Sequence, residues 1–320
     1  MARVLVTGGC GFIGSHLCQA LVSRGDRVRV LDDLSTGLEE NLMPGAELIV
    51  ADVGDPDALA RAMEGMEVCF HLAAVASVER GVRDPRGTHR VNLSATVGVF
   101  DEARERGVTV VYASSAAVYG DLDVLPIVED APTRPLSAYG ADKLGCEQHA
   151  RVAGVAHGVR TAGFRFFNVF GPRQDPRSPY SGVISIFCER LSHGQPVTIF
   201  GDGGQTRDFV AVGDVVAALL AGERVASRGA PVFNVCTGRS TSVLELAGTI
   251  AEVCGVRADI RFEVARSGEI RRSLGSRARG RDVLGLAEPR ALRAGLEDVI
   301  AWMRAGRPGL RVREEVGVSR

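Results

Sequence analysis

Lysine is almost absent from this chain. Its 320 residues carry 38 Lys and Arg together, and Lys143 alone among them is lysine. A compact ammonium on a flexible stem is therefore available at one place, while every other basic position offers the broad guanidinium fork of arginine. Aromatic residues are scarce at 5%, with one Trp and four Tyr. Excess charge is missing too: the formal net charge is −1, which argues against nucleic acid as a partner, because electrostatic binding to phosphates needs a basic surplus. The arginines over 257–281 form the one basic stretch, and it reads equally as a binding patch or as a solvated arginine-rich face. No apolar run approaches the roughly 18 residues that span a bilayer, so no membrane association is expected. Cysteines occur at 10, 18, 69, 146, 188, 236 and 254, an odd number without a CxxC pair. That usage fits reduced thiols packed as small hydrophobes, hence a cytoplasmic location. The six histidines lack metal-ligand spacing, so no metal is expected. The apolar start runs directly into a glycine loop, which speaks against a signal peptide.

What is present is alternation. Short apolar runs, "RVLVTG", "RVRVLD", "ELIVAD", "EVCFHLAA", "TVVYASS" and "RTAGFRFFN", are interleaved with helical patterns such as "SHLCQALVSRG", "DALARAME", 88–106 and 137–157. Strands apolar on both faces and separated by helices predict a doubly wound (Rossmann) α/β fold with a parallel sheet and ligands at the carboxyl ends of its strands. After Asn168 the pattern loosens. "GPRQDPRSPYSG" is a loop by composition, and helices are expected near 183–193, 213–227, 242–254 and 291–304 with strands near "VTIFGDG", "VFNVCTG" and "IRFEVA". This predicts a cofactor domain over 1–168 plus about 207–237, a smaller mixed portion over about 169–206 and 238–310, and a polar tail over 311–320.

"TGGCGFIG" follows the first strand directly and opens a helix, with Gly8, Gly11 and Gly14 spaced by three. Such glycines allow a tight turn, close approach of a pyrophosphate to the backbone, and close packing of the helix whose free N–H groups face the phosphates. Asp32 ends the second strand 18 residues after Gly14, where a carboxylate can accept the ribose hydroxyls of NAD and would repel the 2′-phosphate of NADP. Asp33 adds a second negative charge. Asp52, after the third strand, can accept from an adenine amino group or simply cap a turn.

Tyr139 and Lys143 are four residues apart and share a helix face. A phenol with a pKa of about 10 is a poor base at neutral pH unless a cation favours its phenolate. An ammonium can reach up from the turn below and still bond ribose hydroxyls, where a guanidinium would not fit. A hydroxyl at the end of the preceding strand could bond the substrate and relay the proton. Ser114 and Ser115 both stand there, and Ser115 is the better placed.

These residues, with "HLAA" at 71–74, "SSAAVYG" at 114–120, "YGADK" at 139–143, "RFFNVFGPRQDP" at 165–176, "GDGGQTRDFV" at 201–210 and "RSGEI" at 266–270, resemble the extended short-chain dehydrogenase/reductase family over about residues 2–305, and within it the nucleotide-sugar epimerases of the UDP-glucose 4-epimerase type. The resemblance implies NAD as cofactor and a UDP-sugar as substrate. It implies Ser115, Tyr139 and Lys143 as the catalytic set. It implies cofactor contacts from Gly8, Gly11, Phe12, Ile13, Gly14, Asp32, Asp33, Ser35, Thr36, Gly37, Asp52, Val53, Leu72, Ala73, Ala74, Asn92, Ser114, Tyr139, Lys143 and Phe166. Substrate contacts implied are Ser115, Tyr139, Asn168, Gly182, Val183, Ile199, Phe200, Glu269 and the diphosphate-clamping Arg207 and Arg266. It also implies a homodimer through the helices 88–106 and 139–157, with Leu144, Ala150 and Val152 suited to the contact, although by periodicity the same residues could equally face the chain's own sheet.

Three departures refine the reaction. Similar dehydratases place Asp-Glu after the catalytic hydroxyl, and decarboxylating relatives a glutamate; Ala116 and Ala117 stand here and cannot move protons. Ser273 replaces a tyrosine that narrows the sugar pocket in glucose/galactose enzymes, so N-acetylated sugars are admitted as well. Asp175 stands where uronate epimerases carry an arginine. The expected reaction is reversible C4 epimerisation of a UDP-hexose, glucose/galactose or the N-acetylated pair, with a UDP-glucuronate epimerase or a nucleotide-sugar reductase or dehydratase as the alternatives.

Overall fold

The protein's structure, a computed structural model, describes residues 1–76, 78–176, 182–265 and 268–306. The first half runs β1 (Arg3–Thr7), α1 (Phe12–Ser23), β2 (Arg27–Asp32), β3 (Glu47–Val50), α2 (Pro56–Met63), β4 (Val68–His71), α3 (Val78–Arg83), α4 (Pro85–His89), α5 (Ala95–Arg106), β5 (Thr109–Ser115), α6 (Ala138–His157) and β6 (Thr161–Phe166). The second half runs β7 (Asn168–Phe170), α7 (Val183–Ser192), β8 (Val197–Phe200), β9 (Thr206–Arg207), β10 (Phe209–Ala211), α8 (Val212–Val225), β11 (Val232–Val235), β12 (Thr241–Ser242), α9 (Val243–Cys254), β13 (Ile260–Glu263), α10 (Ala278–Leu284) and α11 (Leu292–Arg304).

Seven strands form one sheet in the order β11-β6-β5-β4-β1-β2-β3, and every pairing in it is parallel. The reason lies in the strand composition. Val4, Leu5 and Val6 of β1 are fully buried, and all six residues of β6 are buried. Such strands need cover on both faces, and helices supply it. One apolar cluster joins α1 and α8 to one face, and another joins α2, α5 and α6 to the other. The chain lays β2 and β3 to one side of β1 and β4 to the other, so a crevice opens between the carboxyl ends of β1 and β4.

Local signals fix the helix ends. Asp55 accepts from Asp57 N and Ala58 N at the start of α2, with Pro56 in the first turn. Ser137 Oγ accepts from Gly140 N at 3.0 Å to begin α6, and Gly158 ends it in the left-handed conformation at φ 74°. The expected continuous helix 88–106 is interrupted: five residues, Arg90–Ser94, form a π-helical turn between α4 and α5. The extra residue per turn swings Asn92 inward, where its amide bonds the backbone of Val75.

Beyond Asn168 the strands pair in twos: β7 with β10, β8 with β13, and β9 with β12. They pack with α7, α9 and α11 around a third apolar cluster holding Phe187, Leu246 and Val299. β11 leaves this region to join the main sheet beside β6. Helix α10 was not expected from the sequence. The expected tail 311–320 lies outside the described residues. No helix among them is long and apolar enough to cross a membrane.

Candidate active site

The crevice at the sheet's carboxyl edge is a cleft of about 500 Å³. Its floor is the turn from β1 into α1. Gly8 has φ +71°, and a Cβ there would come within 2.8 Å of Ala73 N; a Cβ on Gly14 would lie 2.0 Å from Gly8 O. Only glycine permits this close stacking of loop, helix and wall. Gly8, Gly11, Phe12, Ile13 and Gly14 all line the cleft.

Asp32 stands at the tip of β2 and is buried. Its Oδ2 accepts from Cys10 N and its Oδ1 from Leu34 N, both at 2.9 Å. Burial pushes this carboxyl above its ordinary value, and the two N–H groups pull against that. Asp33 Oδ1 accepts from Ser35 N at 2.9 Å and Ser35 Oγ at 2.7 Å. Asp33, Ser35, Thr36 and Gly37 complete this end of the cleft, with Asp52 and Val53 beside them. Asp52 Oδ1 caps a turn by accepting from Gly54 N at 2.8 Å, and its Oδ2 pairs with Arg90 at 2.8 Å. Both readings of Asp52 remain compatible with this geometry, since the carboxylate caps the turn and still faces the cleft.

The wall is Leu72, Ala73 and Ala74 after β4. Asn92 is buried outside the cleft and acts on this wall at one remove. Its Oδ1 accepts from Val75 N at 2.7 Å and its Nδ2 donates to Val75 O at 3.1 Å.

At the far end β5 and α6 bring Ser114, Ser115, Tyr139 and Lys143 to the same cleft, next to Phe166 and Phe167. Lys143 is buried and donates from Nζ to Ala113 O at 2.9 Å. Ser114 and Ser115 differ sharply. Ser114 Oγ donates to Glu147 Oε1 at 2.5 Å, so its proton is committed. Ser115 Oγ accepts from Ala117 N at 3.1 Å, a bond that uses a lone pair and leaves the hydroxyl proton for a ligand. Glu147 lies two turns beyond Tyr139 on the same helix face and takes a bidentate ion pair from Arg165, Nε to Oε1 at 2.8 Å and Nη2 to Oε2 at 2.6 Å. This buried pair ties α6 to β5 and β6.

Asn168 and Gly182 also border the first cleft, and Asn168 borders a second one of about 450 Å³. The second cleft collects Val183, Ile199, Phe200, Arg207 and Glu269. Arg207 is mostly buried, and Glu269 Oε1 accepts from its Nη2 at 3.2 Å. Burial lowers the guanidinium's pKa, and Glu269 opposes that shift. Arg266 lies outside the described residues. Among those described, no group of three or more His, Cys, Asp or Glu could hold a metal ion.

Residues 4–236 match the model of the NAD dependent epimerase/dehydratase family. The chain belongs to that family. It is 40% identical over 310 residues to a UDP-glucose 4-epimerase of Mycolicibacterium smegmatis, covering 94% of this chain and 98% of that protein. Among solved structures it resembles a Thermotoga maritima UDP-glucose 4-epimerase with UDP-glucose, at TM-score 0.92 and 34% identity over 95% of this chain and 99% of the other. It also resembles a UDP-N-acetylglucosamine 4-epimerase of Methanobrevibacter ruminantium in complex with UDP-N-acetylmuramic acid, at TM-score 0.90 and 33% identity over the same shares.

Family membership makes NAD the cofactor, and the first cleft fits it. The cradle at Gly8, Gly11 and Gly14 has no room for a Cβ on Gly14, and Asp32 keeps unused lone pairs toward the ribose end. Two carboxylates there, Asp32 and Asp33, are hostile to a 2′-phosphate.

Several lining residues escaped the sequence reading. Arg90 entered no motif, and only folding brings it to Asp52. Arg190 lines the second cleft with Val183, Ile186 and Phe187. These four fall at i, i+3, i+4 and i+7, so helical spacing from Val183 held a usable signal. Gln205, inside the quoted "GDGGQTRDFV", and Glu263, at the end of β13, also line that cleft and were not singled out. The arginines over 257–281 are partly accounted for: Arg271 pairs with Asp202 at 2.6 Å, Arg279 with Asp130 at 2.5 Å, and Arg277 with Glu288. One dimer candidate changes place. Ala150 is fully buried in the chain's own core, because it points from α6 toward the sheet, whereas Val152 and Val155 are exposed.

Proposed function

We propose that this protein catalyses the reversible C4 epimerisation of a UDP-hexose with bound NAD, Tyr139 acting as the proton acceptor and donor at the 4-hydroxyl. The observation that supports it most is the meeting of the two clefts at Asn168, with Ser115, Tyr139 and Lys143 at the inner end of the first. A sugar entering from the second cleft, nucleotide outward, reaches these side chains.

Gly8, Gly11, Gly14 and Asp32 hold the cofactor, which when bound supplies the reversible oxidation of C4 to a ketone. Lys143, fixed by Ala113 O, holds an ammonium in the cleft that would take the cofactor, one helical turn from Tyr139. In the oxidation direction Ser115 Oγ takes the 4-hydroxyl proton as its own proton passes to Tyr139, and the reverse transfer accompanies reduction. Arg207 and Arg266 hold the diphosphate, so the sugar can present either face of C4 without leaving. Ala116 and Ala117 occupy the 3-10 turn after Ser115, and neither can remove a proton from C5. Dehydration is thereby disfavoured. Ser273 leaves room for a C2 substituent, so the substrate pair is glucose/galactose, its N-acetylated counterpart, or both. The cofactor domain comprises 1–168 with 207–237, and the sugar-binding portion the remainder up to 310. A homodimer through α5 and α6 would cover Val152 and Val155, and seven free cysteines suit the cytoplasm.

The test is product analysis with no cofactor added. UDP-glucose, UDP-N-acetylglucosamine and UDP-glucuronate are incubated separately and resolved by chromatography with mass detection. A new peak of unchanged mass is expected from at least one of the first two. A product lighter by one water would overturn the assignment.

A further inference from the structure

Behind the wall of the cofactor cleft runs a line of hydrogen-bonded side chains to which the mechanism gives no part. His71 ends β4, is buried, and has a partner on each ring nitrogen. Thr7 Oγ1 lies 2.8 Å from Nδ1, and Thr96 Oγ1 lies 2.9 Å from Nε2. The bonds around the two threonines fix where the protons sit. Thr7 Oγ1 accepts from Leu72 N and from Ala73 N, each at 3.2 Å. Its one proton is left for Nδ1. Thr96 Oγ1 donates to Asn92 O at 2.7 Å, so toward His71 it accepts. Nε2 must therefore carry the ring proton, and the ring is neutral. Burial pushes the imidazole pKa down to about 3, and the Lys143 ammonium acts in the same direction.

Both ends of this line hold the cleft. Thr7 bonds Leu72 and Ala73; Asn92 bonds both backbone groups of Val75. All three backbone segments line the cofactor cleft. From the other side Cys146, three residues past Lys143 on α6, donates from Sγ to Asn92 O at 3.1 Å. The line thus spans from the strand that enters the glycine loop to the helix that carries Tyr139.

We propose that His71 is a positioning residue for the cofactor: locked as its neutral Nε2–H tautomer between Thr7 and Thr96, it sets the Leu72–Val75 wall against α6. An Nδ1–H, in either the other tautomer or the imidazolium, would confront the Thr7 proton and force that hydroxyl to drop one of the backbone N–H groups it holds. The inference rests on the cofactor part of the reading above and not on the sugar chemistry.

The test uses the full chain, as purified and after removal of its NAD, with His71→Gln, His71→Leu and Thr96→Val. The glutamine amide sets an acceptor and a donor one carbon apart, as the ring nitrogens are, so it can serve both threonines; leucine can serve neither. Proton–nitrogen correlation spectra of the histidine rings are recorded over about pH 5.5–8, the range in which an ordinary imidazole titrates. One ring, missing from His71→Gln, is expected to show the Nε2–H pattern and no titration. Calorimetry with NAD should give a Kd raised at least about tenfold in His71→Leu, roughly 1.4 kcal/mol, with His71→Gln recovering most of it. If His71→Leu does not fold, Thr96→Val, which keeps the shape at position 96, carries the same expectation. A ring that titrates or holds Nδ1–H overturns the proposal. So does a leucine or valine variant that binds NAD as tightly as the parent, or a glutamine variant that loses affinity as fully as leucine. A parent protein that binds no NAD would instead sink the cofactor reading itself.

Discussion

The two clefts are built from different materials. The cofactor cleft is mostly backbone: a glycine turn, the ends of parallel strands, and acids such as Asp32 whose oxygens are already anchored by N–H groups. Its walls hang from a seven-stranded sheet buried on both faces. The second cleft is mostly side chains. Asn168, Arg190, Arg207 and Glu269 come from segments a hundred residues apart: Asn168 and Arg207 stand on strands of two or three residues, Arg190 on α7, and Glu269 in the loop after β13. A ligand that must stay bound through every turnover is held by the stiff part. A ligand that must enter, turn and leave is held by side chains on short strands, a helix and loops. The seam joins the two clefts at Asn168, with Tyr139 and Ser115 on its first-cleft side.

If that division is right, substitutions should sort by cleft. The largest effect belongs to the seam. Tyr139→Phe should lower kcat by about 10²–10⁴-fold, the usual worth of a positioned acid–base group, while NAD content read from the absorbance of the denatured protein stays at the parental level. Loss of NAD together with activity would mean that Tyr139 belongs to the cofactor cleft alone.

Next comes the frame. Glu147→Ala leaves Arg165 buried and unpaired and frees Ser114, so unfolding should become easier by about 3–5 kcal/mol. Urea denaturation with the parent as reference measures this. A drop under about 1 kcal/mol would show that the pair is solvated and that α6 is held by apolar packing.

Arg207→Ala should act on the second cleft only. Removing one charged clamp of the diphosphate should raise KM by about ten- to a hundredfold, in line with about 1.5–3 kcal/mol for a hydrogen bond to a charged group. NAD content should not move. A change confined to kcat would break the comparison by placing Arg207 at the reacting carbon.

The last effect is on acid stability. His71 stays neutral in the fold down to about pH 3, whereas an unfolded histidine takes up a proton below about 6.5. Its pKa is depressed on folding, so its full contribution is present above 6.5 and is lost as pH falls between those values. The charged group facing it is Lys143. Stability should therefore fall by about 1.4 kcal/mol per pH unit below 6.5 from this residue alone. His71→Gln should lack that slope when urea midpoints at pH 7 and pH 5 are compared. Equal slopes in parent and variant would mean that His71 is protonated in the folded protein.

Local chemistry was the legible part of the site. Gly8, Gly11 and Gly14 announce a turn that no side chain could enter, and Asp32 follows them at the strand end. Tyr139 and Lys143 are one helical turn apart, which fixes their common face before any packing is known. The helix over 88–106 forms, but the π turn inside it was not legible because the same residues satisfy α and π spacing. The partner that decides between them, Val75 against Asn92, lies 17 residues away. Ser114 and Ser115 were both candidates for the same reason: Glu147, which claims the first, is 33 residues distant. The side of α6 that Ala150 faces stayed open because an apolar helix residue suits a sheet and a subunit partner equally well, and burial in the chain's own core settles it.

The sequence by itself determined the parallel sheet, the cofactor loop and the spacing of Tyr139 and Lys143, since each depends on contacts within a few residues and on patterns that only one geometry satisfies. Tertiary structure alone decided which serine keeps its proton, which arginine meets Asp52, and which tautomer His71 must hold. Those outcomes follow from hydrogen-bond partners far apart in the chain, and a donor or acceptor has no fixed role until folding supplies the group on its other side.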